Sequence, residues 1–214
     1  MTTPRRVGAE TSETRALLLD RAEELMLEEG YAAVTYRVLA SRAGVTGGLV
    51  QYYFPTLDDL FLALLRRRAE RNVERLHEAL ERRPDEPLRI VWEFSTDETS
   101  AALLTEFLAL ANHRKTIRAA IHEVIEHTRT AQLQVLEERW DEYPAPGDLS
   151  PEALLFLLHG IPKMVMLEEA VGMSSGHREV LELVERRLDA LEPRRRPRPR
   201  KAGKKATARR RRMG

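Results

Sequence analysis

The sequence contains no cysteine among its 214 residues. Disulfide scaffolds, thiolate metal sites and cysteine nucleophiles are therefore excluded, and a reducing compartment is indicated. No apolar run approaches the roughly 20 residues that a membrane-spanning helix requires. The first residues, MTTPRRVGAETSETR, also lack the apolar segment of a signal peptide. These absences predict a cytoplasmic protein without a membrane partner.

Signatures of catalysis and of metal binding are missing as well. The segment Gly172-Met-Ser-Ser-Gly176 has the letters of Gly-x-Ser-x-Gly, but it separates two predicted helices, whereas that nucleophile pattern acts at a strand-to-helix turn. A phosphate-binding loop pattern does not occur. His122 and His127 are five residues apart, which on a helix turns their side chains about 140° away from each other. A shared metal is therefore not expected at this pair. We predict no catalytic residue, no metal site and no cofactor.

Acidic residues are absent from one segment near the N-terminus. Residues 193–214 carry 12 of the 35 basic residues and no acid, so the remainder holds 23 basic against 34 acidic residues. Within this acidic remainder, residues 34–57 contain Arg37 and Arg42 but no acid. A surface that approaches phosphates requires such a bias, because a carboxylate would repel them. A short buried helical hairpin would give the same pattern, so charge alone leaves both interpretations open.

Apolar residues recur at helical spacing along the chain, and no strand alternation is found. The pattern predicts an all-α fold, with Ser95-Thr96-Asp97-Glu98 as a capping box at one helix start. The basic segment at the C-terminus is too polar to bury a core, so disorder is expected there. Four parts follow: a flexible N-terminus (1–11), a first helical part (12–55), a second helical part (56–192) and a disordered basic tail (193–214).

The uncharged stretch GVTGGLVQYYF, residues 44–54, contains the turn between two short predicted helices and the second of these helices. Gly44 permits a tight turn, Val45 packs inward and Thr46 can cap the second helix, which together indicate a helix-turn-helix. Val50 and Phe54 are four residues apart and are expected to face the core. The side chains left on the outside form what we call the α3 outer face: Gly47, Gly48, Gln51, Tyr52 and Tyr53.

A family resemblance extends over residues 14–65. This segment, TRALLLDRAEELMLEEGYAAVTYRVLASRAGVTGGLVQYYFPTLDDLFLALL, resembles the DNA-binding region of the TetR (tetracycline-repressor-like) regulators. The matching features are Ala-x-x-Leu-Met followed by Glu-Glu-Gly-Tyr, the Ala-Gly-Val-Thr-x-Gly turn, and a phenylalanine before the next helix. The combination is specific, whereas a single piece such as Ala-Gly-Val-Thr would be weak.

The resemblance implies DNA-binding roles at individual positions. Thr35 and Thr46 match capping positions near phosphates, and Arg37 matches a position that reaches a base, where arginine suits guanine. The α3 outer face matches the recognition-helix contact surface. Two residues depart from the family pattern, since Gln51 stands where tyrosine is usual and Leu57 where lysine is usual. The basic tail is a candidate to replace the phosphate contact that lysine would make.

The resemblance further implies a homodimeric transcriptional regulator, interpreted as a repressor that leaves a palindromic operator in double-stranded DNA when a small apolar effector binds. It makes residues 12–55 the helix-turn-helix DNA-binding domain and residues 56–192 the helical regulatory and dimerisation domain. Helices near 150–171 and 177–191 should pack against their counterparts, because the first of them is apolar on most sides. The residues assigned to this interface are Leu154, Leu157, Leu158, Ile161, Val165, Val180, Leu183, Val184 and Leu188. The residues assigned to an effector pocket are Trp92, Phe94, Phe107, Leu108, Phe156 and Met164.

An alternative function remains open at this point. The 12 positive charges of the tail could by themselves produce DNA binding without sequence preference, as in an architectural protein. Such binding would be lost when residues 193–214 are removed. A repressor lacking the tail would instead still prefer one operator.

Overall fold

The computed structural model describes residues 13–143 and 149–193 of the chain. Within these ranges the fold consists of helices, with no strand, so the all-α prediction is confirmed. The predicted N-terminal segment 1–11 and nearly all of the basic tail lie outside the described residues. The α-helices are α1 (Glu13–Glu29), α2 (Tyr36–Ala43), α3 (Gly47–Tyr53), α4 (Leu57–Arg82), α5 (Pro87–Ser95), α6 (Glu98–Ala111), α7 (Lys115–Glu137), α8 (Pro151–Glu169) and α9 (His177–Leu191).

Local capping signals set the ends of the N-terminal helices. The side chain of Thr46 accepts a hydrogen bond from the backbone N–H of Leu49 at 3.3 Å, at the start of α3. Thr56 and Asp59 form a reciprocal capping box at the start of α4, with N–O distances of 3.0 and 3.1 Å. None of the helices in the described ranges is long and apolar enough to cross a membrane.

The capping box predicted at residues 95–98 is wrong. Ser95 is still the last residue of α5, and its hydroxyl donates to the carbonyl oxygen of Val91 at 2.8 Å. The residue that precedes α6 is Asp97, whose carboxylate accepts from the hydroxyl of Ser100 and from no backbone N–H that the structure describes. Serine in the last turn of a helix readily bonds the carbonyl four residues back, and this bond replaces the predicted cap.

One apolar cluster spans the predicted domain boundary at residues 55 and 56. It joins α1, α2 and α3 to α4, α6 and α7, and its largest fully buried side chains are Phe54, Phe61 and Phe107. A second cluster, which includes Leu88, Leu136 and other leucines, joins α5, α7, α8 and α9. The N-terminal helices therefore share a continuous core with α4, α6 and α7.

The C-terminal end of α9 is fixed to α5 by a buried carboxylate. Glu192 is 3% exposed and accepts hydrogen bonds from the backbone N–H groups of Leu88 and Arg89 at 2.8 and 2.9 Å. It also accepts one from the hydroxyl of Tyr143 at 2.7 Å. Burial, followed by this hydrogen bond, raises the pKa of Tyr143. A side chain 104 positions away in sequence thus satisfies the first N–H groups of α5.

Candidate nucleic-acid interface and internal cavity

The turn between α2 and α3 is closed by backbone hydrogen bonds. The N–H of Val45 donates to the carbonyl oxygen of Ala40 at 3.0 Å, and that of Gly44 to Ser41 at 3.3 Å. Gly44 has φ +66°, the left-handed conformation that glycine adopts without a Cβ penalty. This is the Schellman arrangement, and it sets the angle at which α3 leaves α2.

Helix α3 is anchored from beneath and at its C-terminal end. Val50 and Phe54 are 0% and 1% exposed, as their spacing predicts. The hydroxyl of Tyr36 donates to the carbonyl oxygens of Phe54 and Pro55 at 3.0 and 2.9 Å. Burial, with a smaller contribution from the carboxylate of Asp59, raises the pKa of Tyr36, so the hydroxyl remains a donor. These contacts hold the seven-residue helix in one orientation.

The α3 outer face lies at the surface of the protein. Gly48 and Gln51 are exposed, Gly47 and Tyr53 are partly exposed, and Tyr52 is 52% exposed. The rings of Tyr52 and Tyr53 meet edge to face, with their centroids 5.3 Å apart. Thr35, Arg37 and Thr46, the other residues predicted to contact DNA, are also exposed. Every predicted contact residue is thus accessible, while contact with DNA itself stays a prediction.

The two arginines of the acid-free segment have different surroundings. Arg42 forms ion pairs with Glu28 at 2.7 Å and Glu29 at 2.5 Å, both at the end of α1. Arg37 forms no ion pair with any residue that the structure describes. Arg37 is therefore the arginine of this segment that is available to a phosphate or a base. Leu57, where the family usually has lysine, packs partly buried against the first apolar cluster.

A cavity of about 200 Å³ lies between α4, α5, α6, α7 and α8. Part of its wall is apolar and is built by residues from four of these helices. These residues include Leu65, Leu76, Phe94, Leu103, Leu104, Phe107, Val124 and Ile125. The cavity is smaller than typical drug-sized sites, which measure roughly 300–1,000 Å³.

The predicted effector residues are only partly correct as residues of this cavity. Phe94 and Phe107 line it. Trp92 instead belongs to the second apolar cluster. The remaining predicted residues lie at the surface, with exposures of 47% for Leu108, 64% for Phe156 and 57% for Met164. These four positions therefore do not line this cavity, and an apolar helix pattern alone does not indicate which of its sides faces the interior.

The sequence reasoning missed the polar wall of the cavity. Arg129 and Gln132 on α7 and His159 and Lys163 on α8 contribute to it. Burial, then the positive charges of Lys163 and Arg129, lowers the pKa of His159 to about 4. Burial and Arg129 also lower the pKa of Lys163. A usable signal was present, since His159 and Lys163 are four residues apart and are polar within an otherwise apolar helix.

The surface of α8 and α9 differs from the predicted interface. Leu158 and Leu188 are 3% and 2% exposed, because they fill the core of their own protomer. Leu154, Ile161 and Val184 also pack against that core, and Val165 and Val180 are only partly exposed. The predicted list is therefore corrected for the two buried leucines. The large apolar residues that do lie exposed on these two helices are Phe156, Leu157, Met164, Leu167 and Leu183.

Helix α3 is exposed on its outer face and follows a turn that backbone hydrogen bonds close. Together with the helical body and its cavity, these features define a helix-turn-helix protein. Residues 18–64 match the model of the bacterial regulatory proteins of the tetR family. The repressor BepR of Brucella suis is 29% identical over 140 residues, which are 62% of this chain and 65% of BepR. Over residues 18–64 the chain is thus similar to the DNA-binding region of the TetR-family regulators, and over 140 residues it is similar to one repressor of this kind.

Solved structures support the same fold over most of the chain. A regulator from Saccharomonospora viridis, solved in complex with choline, superimposes with a TM-score of 0.69 at 16% identity, covering 82% of this chain and 97% of that one. FadR of Bacillus subtilis, solved with stearoyl-CoA, gives a TM-score of 0.62 at 20% identity, covering 79% and 96%. At these identities the likeness concerns the fold alone.

Proposed function

We propose that this protein is a homodimeric transcriptional repressor that binds a palindromic operator through the α3 outer face. The observation that carries the proposal is the contrast within α3. Val50 is fully buried, whereas Gln51 and Tyr52 are exposed and have no structural role in the described core. Polar and aromatic side chains on a rigidly anchored helix suit the edges of bases and phosphate oxygens.

The contacts proposed for each position follow from its chemistry. Thr35 and Thr46 lie at helix N-termini, where free N–H groups favour a phosphate. Arg37, which lacks an ion pair among the described residues, suits bidentate bonding to guanine. Gln51 can bond adenine or phosphate, and the tyrosine hydroxyls can reach phosphate oxygens. Glycines 47 and 48 permit close approach of the helix to DNA.

We propose that the second copy of the chain covers the outer side of α8 and α9. Phe156, Met164 and Leu167 lie on one side of α8, and Leu183 lies on the neighbouring helix. Contiguous exposed apolar residues of this kind are typical of protein–protein interfaces. A two-fold dimer would place two recognition helices about 34–36 Å apart, one turn of DNA, and would account for a palindromic operator.

Phe156→Glu should convert the dimer to a monomer. Burying an unpaired carboxylate in an apolar interface costs several kcal/mol, so we expect the dimer dissociation constant to rise about 100-fold or more. Analytical ultracentrifugation over a range of protein concentrations measures this change. Leu27→Glu, at a 39% exposed leucine of α1, is the matched control and should leave the dimer intact. An unchanged dissociation constant in Phe156→Glu would exclude this interface.

Two helices provide a physical route from the cavity to the DNA-binding helices. Arg68 of α4 lines the cavity, pairs with Glu23 of α1 at 3.1 Å and donates to Ser100 of α6 at 2.9 Å. On α6, the carboxylate of Glu106 accepts a hydrogen bond from the backbone N–H of Tyr31 at 2.7 Å. A ligand that displaces α4 or α6 would therefore move α1, and with it the spacing of the two recognition helices.

Effector control in this protein is a shift between two populations of the dimer. The ligand stabilises the arrangement in which the recognition helices do not match the half-sites, and it must bind that arrangement more tightly. Structural relatives were solved with choline and with stearoyl-CoA, so a ligand bound within this fold has precedent. The relatives' ligands differ in charge, and the effector of this chain is therefore inferred from its own residues.

Selection of bound sequences from random DNA tests the proposal. We expect the full-length protein to enrich one near-palindrome with half-sites one turn apart. A chain ending at residue 192 should enrich the same sequence with lower affinity and a smaller salt dependence, since the removed charges bind phosphate without reading sequence. If the shortened chain lost all binding and the full chain enriched no sequence, the architectural alternative would replace the repressor.

A further inference from the structure

Two cations in the polar wall of the cavity, Arg129 and Lys163, are not paired with any carboxylate of the described residues. The described residues that line the cavity include no aspartate or glutamate. Arg68 is neutralised from outside the cavity by Glu23 at 3.1 Å. Arg129 and Lys163, on facing helices, form no ion pair with any residue within 13–143 or 149–193. Two partly buried cations thus line the same cavity.

This arrangement is electrostatically unfavourable while no anion is present. Arg129 lies close enough to Lys163 to contribute, after burial, to the lowered pKa of that amine. The same two cations disfavour a proton on His159. An anion between the cations would relieve the repulsion, and its hydrogen bonds would be charge-assisted.

A buried amide next to these cations also lacks a partner. Gln132 is 3% exposed, lines the cavity, and its Oε1 atom accepts no hydrogen bond from the described residues. Buried polar atoms in native proteins nearly always have a partner, and an exception at a cavity wall points to a ligand or water. The unpaired oxygen is an acceptor and suits a donor such as a hydroxyl, an N–H group or a water, while a carboxylate could be bonded only by the NH₂ group of the same amide.

The apolar part of the wall limits the size of the apolar portion of the ligand. Phe94 and Phe107, with the neighbouring aliphatic side chains, line the apolar part of a cavity whose total volume is about 200 Å³. An apolar cavity of about 150 Å³ in another protein holds benzene. The available space therefore accommodates about one ring with a small polar substituent.

We infer that the effector is a small monocarboxylate with an apolar body of about one ring. Its carboxylate lies between Arg129 and Lys163, and its apolar body packs against Phe94 and Phe107. The inference rests on the proposed role of the cavity as the effector site. It replaces the purely apolar effector expected from the sequence, because the sequence alone did not place the two cations in the wall.

Three single-ring probes that differ in charge test this ligand class. Benzoate, benzamide and benzylamine are titrated into the full-length protein at pH 7.5 in a calorimeter, where they are anionic, neutral and cationic. We expect benzoate to bind at least about 10-fold more tightly than benzamide, since it makes charge-assisted hydrogen bonds. Benzylamine should show no measurable binding, because it meets two like charges.

Two variants test whether benzoate binds in the cavity at Arg129 and Lys163. Arg129→Met and Lys163→Met should each weaken benzoate binding about 10-fold and leave benzamide binding unchanged. Arg71→Met on α4 and Lys115→Met on α7 are the matched controls, since both residues are exposed and lie outside the cavity wall. Absence of benzoate binding, equal binding of benzamide, or benzoate binding unchanged in both cavity variants would overturn the inference. The wild-type comparison decides the question even if a variant fails to fold.

Operator binding separates this inference from the proposed function. With the selected operator in hand, benzoate should weaken the complex in the wild-type protein and not in Arg129→Met. If benzoate binds through the two cations and the operator complex is unaffected, the carboxylate specificity stands and the effector role fails. If the operator is bound normally and benzoate never binds, the proposed function as a repressor stands and the inferred carboxylate effector is wrong.

Discussion

Replacing Glu192 with alanine is expected to lower the free energy of unfolding by about 3–5 kcal/mol. The carboxylate is 3% exposed and serves three donors: the N–H groups of Leu88 and Arg89 and the hydroxyl of Tyr143. Each buried donor left without a partner costs about 1–3 kcal/mol, part of which is offset because the buried charge is also removed. Urea denaturation followed by circular dichroism measures the change.

Two further variants separate the cap from a general effect of altering α9. Glu179→Ala, in the exposed first turn of the same helix, should change stability by less than about 0.5 kcal/mol. Glu192→Gln keeps one acceptor oxygen without the charge and should lie between Glu192→Ala and the wild type. All variants are compared at one protein concentration, since the stability of a dimer depends on it. A loss below about 1 kcal/mol in Glu192→Ala would contradict the capping role.

The same network explains the burial of an arginine on α5. Arg89 is 3% exposed and bonds Glu185 at 3.2 Å and Asp189 at 2.7 Å, both on α9. The indole N–H of Trp92 donates to Glu185 at 2.9 Å. Trp92 thus serves the contact between α5 and α9 rather than the cavity. Polar side chains as well as the leucines of the second cluster hold α9 in place, and α9 carries part of the proposed dimer surface.

Features that depend on neighbouring residues could be predicted from the sequence. The turn glycine, Gly44, the capping threonine, Thr46, and the buried pair Val50 and Phe54 are determined within about ten residues of chain. Their spacing specifies both the turn and the side of α3 that faces inward. Sequence reasoning therefore located the candidate DNA surface, including the accessibility of each residue in it.

Features that depend on distant contacts could not be predicted. Helix α8 is apolar on nearly all sides, so the pattern gave no sign that Leu158 faces its own core and Phe156 faces outward. The N–H groups at the start of α5 are capped by Glu192, and local sequence contains no trace of a partner so far away. The cavity has the same origin, since Arg129 and Lys163 meet only when α7 packs on α8.

Gly48→Glu should abolish operator binding while leaving the protein at least as stable as the wild type. Gly48 is exposed in the first turn of α3, and an added Cβ meets no atom within 4 Å. Replacing a helical glycine adds up to about 1 kcal/mol of stability, and an acid in the first turn favours the helix dipole. On DNA, the same carboxylate would lie against phosphates, a repulsion of several kcal/mol that lowers affinity about 100-fold or more.

Fluorescence anisotropy with the selected operator and thermal denaturation together test this expectation. Gly48→Ala should gain similar stability and lose much less affinity, since it adds no charge. Ala102→Glu, at an exposed position of α6, adds the same charge away from α3 and should bind operator normally. Stability and DNA binding then change in opposite directions only at the α3 outer face, which a purely structural role for this helix cannot produce. Operator affinity close to wild type in Gly48→Glu would move the DNA surface elsewhere on the protein.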